Sequence, residues 1–410
     1  MDPIVLDPAG GDVHAEAAAL RARGSATLIQ LPGDVPAWSV TGHVLLSSLL
    51  IDPRVSTDAF QHWPPMMEGR LPPEWPLHVW VSVRNMFTAQ GPDHRRLRSL
   101  VSSAFTARRV EQLRPFVVRR TAALLDGLET QPHDQPVDLR GHFAYPLPLD
   151  VICHLFGVPE PMRPDLRRVV SAVFDTSTAP TAQSAAELAG LLAGLVASKR
   201  AEPADDLTSA LIAARDANDG RLDDPELIGT LLLMLGGGHE TTANLIDHAV
   251  VGLLDDPVQR DLAVSGQVSW QDVVEEALRW QAPVANLPLR YAIEDIETGE
   301  GCVIRQGEAI LASYAGACRD PQRYGDTADM FDVTRPARQH LAFGHGAHFC
   351  LGASLARLEA SIALAALFER SPTSRWRCDR PASSRCRRSS PTAIVRSRSC
   401  SACPPPVGES

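Results

Sequence analysis

Lysine is almost missing from this 410-residue chain: Lys199 stands alone against 38 arginines. A phosphate-cradling Gly-Lys-Ser/Thr loop and a Schiff-base enzyme both need a lysine in a defined setting. Lys199, in "VASKRAE", has no glycine loop before it and lies on what reads as an exposed amphipathic helix, so both classes are excluded. A GxGxxG turn between a strand and a helix is missing too, and any redox chemistry must draw its electrons from outside the chain. The richest apolar run, "LIGTLLLML", stops after nine residues at "GGGHE", far short of a membrane span. "MDPIVLDPAG" has neither the basic nor the apolar part of a signal peptide, so a cytoplasmic protein is expected. Paired cysteines are absent. Of eight, Cys378, Cys386, Cys400 and Cys403 fall near the C-terminus, and Cys153, Cys302, Cys318 and Cys350 are scattered without CxxC spacing. That pattern is neither a disulfide framework nor a zinc ribbon. A net charge of −10 lacks the basic surface that nucleic-acid binding requires.

What is present is helical periodicity over a 44% apolar composition. "DVHAEAAALRARG", "PDHRRLRSLVSSAF", "RRVEQLRPFVVRRTAALLDGL" and "LGASLARLEASIALAALFER" all carry it. So does "QDVVEEALRW", opened by the capping-box-like "SWQD". Asp224-Pro225 supplies a cap and a first-turn proline for a helix running to about Asp255. Short β-like runs, "PLRYAI" and "CVIRQGEAILAS", follow. Five prolines in "QHWPPMMEGRLPPEWPLHVW" (61–80) predict a long loop, which three Trp and two Met keep from disorder. From Ser371 the composition turns to Ser, Arg, Pro and Cys without helical or strand period. Residues 371–410 read as a frame-shifted segment or a disordered basic tail.

Three stretches carry chemistry. In "LMLGGGHETTANLI" (233–246) three glycines interrupt a helix at about 1 kcal/mol each relative to Ala. The acid Glu240 and the hydroxyls of Thr241 and Thr242 follow at once, a pattern that suits a small ligand in an opened helical groove beside a proton source. Glu276 and Arg279 stand at i, i+3, and His94 and Arg98 at i, i+4, each an ordinary surface pair when taken alone. "LAFGHGAHFCLG" (341–352) is the sharpest. Zinc would need three or four ligands in tetrahedral array, and a nucleophilic Cys would need a base and an oxyanion hole. A lone thiolate on a glycine turn before a helix N-terminus fits instead.

These residues carry a resemblance. "FGHGAHFCLG" matches FxxGx(R/H)xCxG at Phe343, Gly346, His348, Cys350 and Gly352, and so resembles the haem-binding signature of the cytochrome P-450 superfamily, in its soluble actinobacterial form. "GGHETT" is similar to its oxygen-activating helix, Glu276-x-x-Arg279 to its ExxR pair, "FDVTR" to its meander and "HRRLR" to its propionate-gripping helix. The resemblance implies a mainly α, triangular fold with minor β and a long central helix over haem, spanning residues 1–370. It implies haem b as cofactor, with Cys350 as the metal ligand and His94, Arg98, Arg290 and His348 at the propionates. Glu240 and Thr241 would be the acid–alcohol pair for O2 chemistry, and Glu276 and Arg279 a structural pair locked near Arg335. Electrons would come from a ferredoxin and its reductase, docking at Arg95 and Arg96 or Arg108 and Arg109. The substrate would be bulky and apolar, a polyketide, steroid or terpenoid to be hydroxylated or epoxidised. Loop 61–90, with Val81, Met86 and Phe87, would roof it, with Gly237 beneath and 171–183 as a second lid. No nucleic-acid or membrane partner is implied, and a monomer is expected. Cys318 stands where the family commonly has Asn, and the tail departs from the family's C-terminal strands. The alternative is a haem-binding protein whose altered C-terminus impairs turnover.

Overall fold

The computed structural model describes residues 4–7, 10–72, 75–131, 137–174, 182–217, 222–299, 301–336 and 339–371, with the strands at 375–376 and 394–395. Helices dominate, with a minor β region, as expected. Six helices position the site: α1 (Gly91–Ser102), α2 (Ala107–Glu129), α3 (Asp224–Gly237), α4 (Glu240–Asp255), α5 (Trp270–Trp280) and α6 (Ala353–Arg370). On α4, Ala243, Leu245, Ile246, Ala249, Val250 and Leu253 are fully buried, an apolar face at helical spacing. With Leu125 of α2, Leu278 of α5 and Leu364 of α6 they form one core.

The long helix expected from Asp224 to Asp255 is in fact two. Asp223, one residue before the predicted cap, accepts from Glu226 N at 2.8 Å, and Glu226 Oε2 reaches back to Asp223 N at 3.1 Å. This capping box starts α3. Gly238 and His239 then separate α3 from α4. Thr241 Oγ1 donates to the Gly237 carbonyl at 2.9 Å, so a side chain takes an acceptor at the break. The predicted capping box, Ser269 with Asp272, opens α5.

A six-stranded sheet flanks the helices. Its strands are β1 (Ile4–Val5), β2 (Ala26–Leu31), β3 (Val35–Val40), β4 (Val55–Ser56), β5 (Asn286–Ala292) and β6 (Ala309–Ser313), in spatial order β1-β2-β3-β6-β5-β4. β2 and β3 form an antiparallel hairpin, Ala26 opposite Val40 and Leu31 opposite Val35. Sequence reading overlooked this hairpin, although "PGD" between two β-rich runs is a turn signal. The β5–β6 register shifts between Leu287 and Arg290, around Pro288, which has no N–H for the ladder.

Two further expectations are corrected. The Pro/Trp stretch is not a featureless loop: it holds the short helices Ala59–His62, Pro64–Met67 and His78–Ser82. Pro64 and Pro65 sit in a first turn, where a missing N–H costs no hydrogen bond. Lys199 is not an exposed cation, since Nζ lies 2.6 Å from Asp206 Oδ2 and its side chain is only 12% exposed. The tail contains one strand pair, Arg375–Trp376 antiparallel to Ile394–Val395. The rest of it after Ser371 lies outside the described residues, as does most of the expected lid at 171–183. No helix among the described residues is long and apolar enough to cross a membrane.

Candidate active site

The loop 341–352 is built by its own backbone. Cys350 N donates to Phe343 O at 2.8 Å, Phe349 N to Gly346 O at 3.0 Å and Gly344 N to Leu341 O at 2.7 Å. Gly346 adopts φ +73°, and a Cβ there would stand 2.7 Å from Ile51 Cγ2, so no side chain is admissible. Gly352 lies against the sulfur, its Cβ position 4.0 Å from Cys350 Sγ. Phe343 is half-buried under the Arg357 guanidinium, 4.6 Å from the ring centroid. Protein packed around the sulfur raises its pKa, while the N–H of Gly352, Arg98, Arg357 and the N–H of Ala353 pull it down. Donors already aimed at the sulfur are what a thiolate needs. Among the described residues no group of three or more His, Cys, Asp or Glu could hold a metal ion.

The loop is held from both ends by adjacent acids of α5. Glu276 and Arg279 are wholly buried and paired at 2.8 Å. Arg279 also donates to the carbonyls of Ala328 (2.7 Å), Met330 (2.7 Å) and Cys318 (3.1 Å), and Glu276 accepts from Asp332 N at 2.9 Å. Arg335 Nε comes within 3.4 Å of Glu276. Glu275, which sequence reading did not single out, binds Arg357 at 2.5 Å and His340 at 3.2 Å. Burial would raise the Glu275 carboxyl, but hydrogen bonds from His340 and Arg357 hold it at about 2.

Beside the thiol, distant segments bring four nitrogen bases together. α1 carries His94 and Arg98, β5 carries Arg290, and the loop carries His348. The His94 and His348 rings are 4.1 Å apart, and Arg98 Nη2 donates to Phe349 O at 2.8 Å. Burial and then His94, Arg290 and Arg98 push the His348 pKa down to about 3. His94 is lowered by burial, Arg98 and Arg95. None of these causes is a carboxylate, and His94 Nε2 is buried without a hydrogen-bond partner. Such a cluster fits a ligand edge that itself brings carboxylates.

At the α3–α4 break, His239 Nδ1 lies 2.7 Å from the Leu235 carbonyl, which fixes Nε2 as acceptor for the Tyr145 hydroxyl at 2.8 Å. Burial lowers His239 to about 4, so the ring is neutral. Glu240 starts α4, 4.0 Å from Arg140. A Cβ on Gly237 would meet nothing within 4 Å, so the helix backbone there faces open space.

The roof is anchored on α3. Asn85 Nδ2 donates to Gly229 O at 3.3 Å and Thr88 Oγ1 to Val83 O at 2.6 Å. Between them lies an apolar cavity lined by Val79, Trp80, Val83, Phe87, Leu232 and Leu233, with Asn85 and Thr88. Phe87 is thus at the cavity, whereas Val81 packs with Trp63, Trp75 and Leu77 in the core under the sheet, and Met86 packs against the main core. Val81 and Met86 therefore do not line this cavity. Gly229 permits the close approach: a Cβ would stand 2.2 Å from the Arg84 carbonyl oxygen. Gly229→Ala is expected to cost about 1–3 kcal/mol by overpacking, read as a lower denaturant midpoint, and to loosen the roof.

The cytochrome P450 family model matches residues 270–372, from α5 through the Cys350 loop and α6. The 2-hydroxy-5-methyl-1-naphthoate 7-hydroxylase of Streptomyces carzinostaticus is 43% identical over 374 residues, 91% of each chain. The 6-deoxyerythronolide B hydroxylase of Saccharopolyspora erythraea is 40% identical over 365 residues, 87% of each. The structure of CYP154A1 from Streptomyces coelicolor A3(2) superposes with a TM-score of 0.89 at 48% identity, covering 96% of this chain and 100% of that one. Fold and relatives together define the class, a helical haem-thiolate oxidoreductase. More particularly, the chain belongs to the cytochrome P450 family; it is a P450 monooxygenase whose cofactor is iron protoporphyrin IX.

Proposed function

We propose that this P450 hydroxylates or epoxidises a bulky apolar substrate, a polyketide, steroid or terpenoid, with electrons from a ferredoxin and its reductase. The observation that supports the reading is the broken helix, which sets an acid, Glu240, and an alcohol, Thr241, directly after the break, with open space beside Gly237. The names of the two hydroxylase relatives, one of a methylnaphthoate and one of 6-deoxyerythronolide B, support a sizeable carbon skeleton as substrate.

In this reading Cys350 ligates the haem iron, on a loop shaped by Phe343, Gly346 and Gly352. His94, Arg98, Arg290 and His348 take the propionates. Haem, when bound, supplies the activation of O2 and insertion of one oxygen atom into the substrate. Glu240 holds and passes a proton at its carboxyl, and Thr241 presents Oγ1 beside it. Arg96 is committed to Glu226 at 2.6 Å, which leaves the exposed Arg95, Arg108 and Arg109 for an acidic ferredoxin. Residues 1–370 form one P450 domain, monomeric and cytoplasmic, and 371–410 an atypical tail.

The test is coupling, the product formed per electron pair consumed. Glu240→Gln and Thr241→Ala are each expected to keep consuming donor while product per electron pair falls about tenfold to a hundredfold, hydrogen peroxide rising in step. Coupling unchanged in both variants would refute the assignment.

A further inference from the structure

Arg140 opens a five-residue π-helical turn, Arg140–Ala144, packed against α4. π-turns of this kind concentrate at functional sites. Its guanidinium is shared between two acids of α4 that stand seven residues apart, hence on one face. One is Asp247, 1% exposed, whose Oδ2 contacts Arg140 Nη1 directly. The other is Glu240, 35% exposed, whose Oε1 is 4.0 Å from Arg140 Nη2. Asp247 Oδ1 is buried without a hydrogen-bond partner, so the arginine is this acid's principal compensation. Burial raises Asp247 to about 6 even with Arg140 in contact. A buried carboxylate without a counter-ion is far more costly than a partly hydrated one, so the guanidinium stays with Asp247.

We infer that Asp247 is a positioning residue for proton delivery: by holding Arg140 it keeps the guanidinium from closing on Glu240. The inference rests on the reading of Glu240 as the proton-handling acid. A carboxylate gripped by a guanidinium fork has both oxygens engaged and is stabilised in its charged form, which makes it a poor proton donor. Arginine stays protonated at every working pH and neither gives up nor takes a proton, so its effect is wholly on where the Glu240 carboxylate sits and how it is charged. Two acids competing for one cation thus leave the acid at the break able to give up its proton. Neither Asp247 nor Arg140 stood out in the sequence, where they are 107 positions apart.

The account predicts an asymmetry that a plain structural ion pair would not show. In Asp247→Asn, of nearly the same shape, Arg140 is released onto Glu240. Coupling is expected to fall about tenfold, and the solvent isotope effect on turnover to rise. The crystal structure of this variant should show the Arg140–Glu240 separation closed to about 2.8 Å. Arg140→Met removes the clamp, so coupling should stay within about twofold of the parent, and Asp247→Asn with Arg140→Met should regain the coupling lost in Asp247→Asn. Equal losses in both single variants, or a double variant no better than Asp247→Asn, would overturn the inference. Should either single variant not fold, the double variant, which leaves neither charge buried, decides: a loss as large as that of Glu240→Gln overturns it. Glu240→Gln separates the two levels. If it couples normally, the underlying reading fails and the inference falls with it. If it uncouples while Asp247→Asn couples as the parent does, only the inference fails.

Discussion

Cys350→Ser is expected to abolish turnover and to weaken haem retention about tenfold to a hundredfold, with the polypeptide fold intact. Serine is nearly isosteric, so the loop keeps its bonds from Cys350 N to Phe343 O and from Phe349 N to Gly346 O. Its hydroxyl does not ionise near neutral pH, however, and the N–H groups of Gly352 and Ala353 with Arg98 and Arg357 then surround a neutral oxygen. The charge those groups are arranged to stabilise is gone. The measurement is haem content by absorbance together with product formation under a surrogate electron donor. Retained turnover at a parental rate would mean that the iron ligand is another residue.

The second large effect falls on stability. Arg279→Ala is expected to cost about 3–5 kcal/mol, because it removes the 2.8 Å partner of the wholly buried Glu276 and leaves it only the more distant Arg335, 3.4 Å away. It also takes the Arg279 donor from the carbonyls of Ala328 (2.7 Å) and Cys318 (3.1 Å), and leaves Met330 O only the 3.4 Å bond from Arg335. Against a total stability of about 5–15 kcal/mol, that is enough to leave much of the chain unfolded or free of haem at 37 °C. Arg279→Lys should rescue little, since a single ammonium cannot reproduce a fork that serves Glu276 and three carbonyls together. Denaturant midpoints and the haem-to-protein ratio decide. A variant within about 1 kcal/mol of the parent would show that the network does not organise the 327–350 segment.

The Cys350 loop was legible because its chemistry is local: one sulfur, glycines of fixed spacing and a helix start lie within a dozen residues. Glu276 and Arg279 were visible as a pair, yet sequence could not separate them from a solvated i, i+3 ion pair. Their meaning lies in carbonyls 39 to 51 positions away. Glu275, one residue earlier, was passed over for the same reason, its partners being His340 and Arg357. The four-base cluster was named residue by residue through the resemblance, but its physical signature, an unpartnered Nε2 on His94 with no carboxylate among its charged neighbours, exists only in three dimensions. Apolar positions were the least legible. Val81 and Phe87 look equivalent in the sequence, and the fold buries one under the sheet and sets the other at the cavity. Lys199 was misjudged because a lysine at the end of a helix gives no sign of the aspartate, Asp206, that the next turn of chain returns to it.

The central claim is that Cys350 supplies a thiolate to haem iron in a monooxygenase. It is tested most directly by the carbon monoxide difference spectrum of the reduced, full-length protein. The account predicts a strongly red-shifted Soret band, the mark of thiolate ligation, and its loss in Cys350→Ser. A band at the position given by a neutral ligand in the parent protein would contradict it.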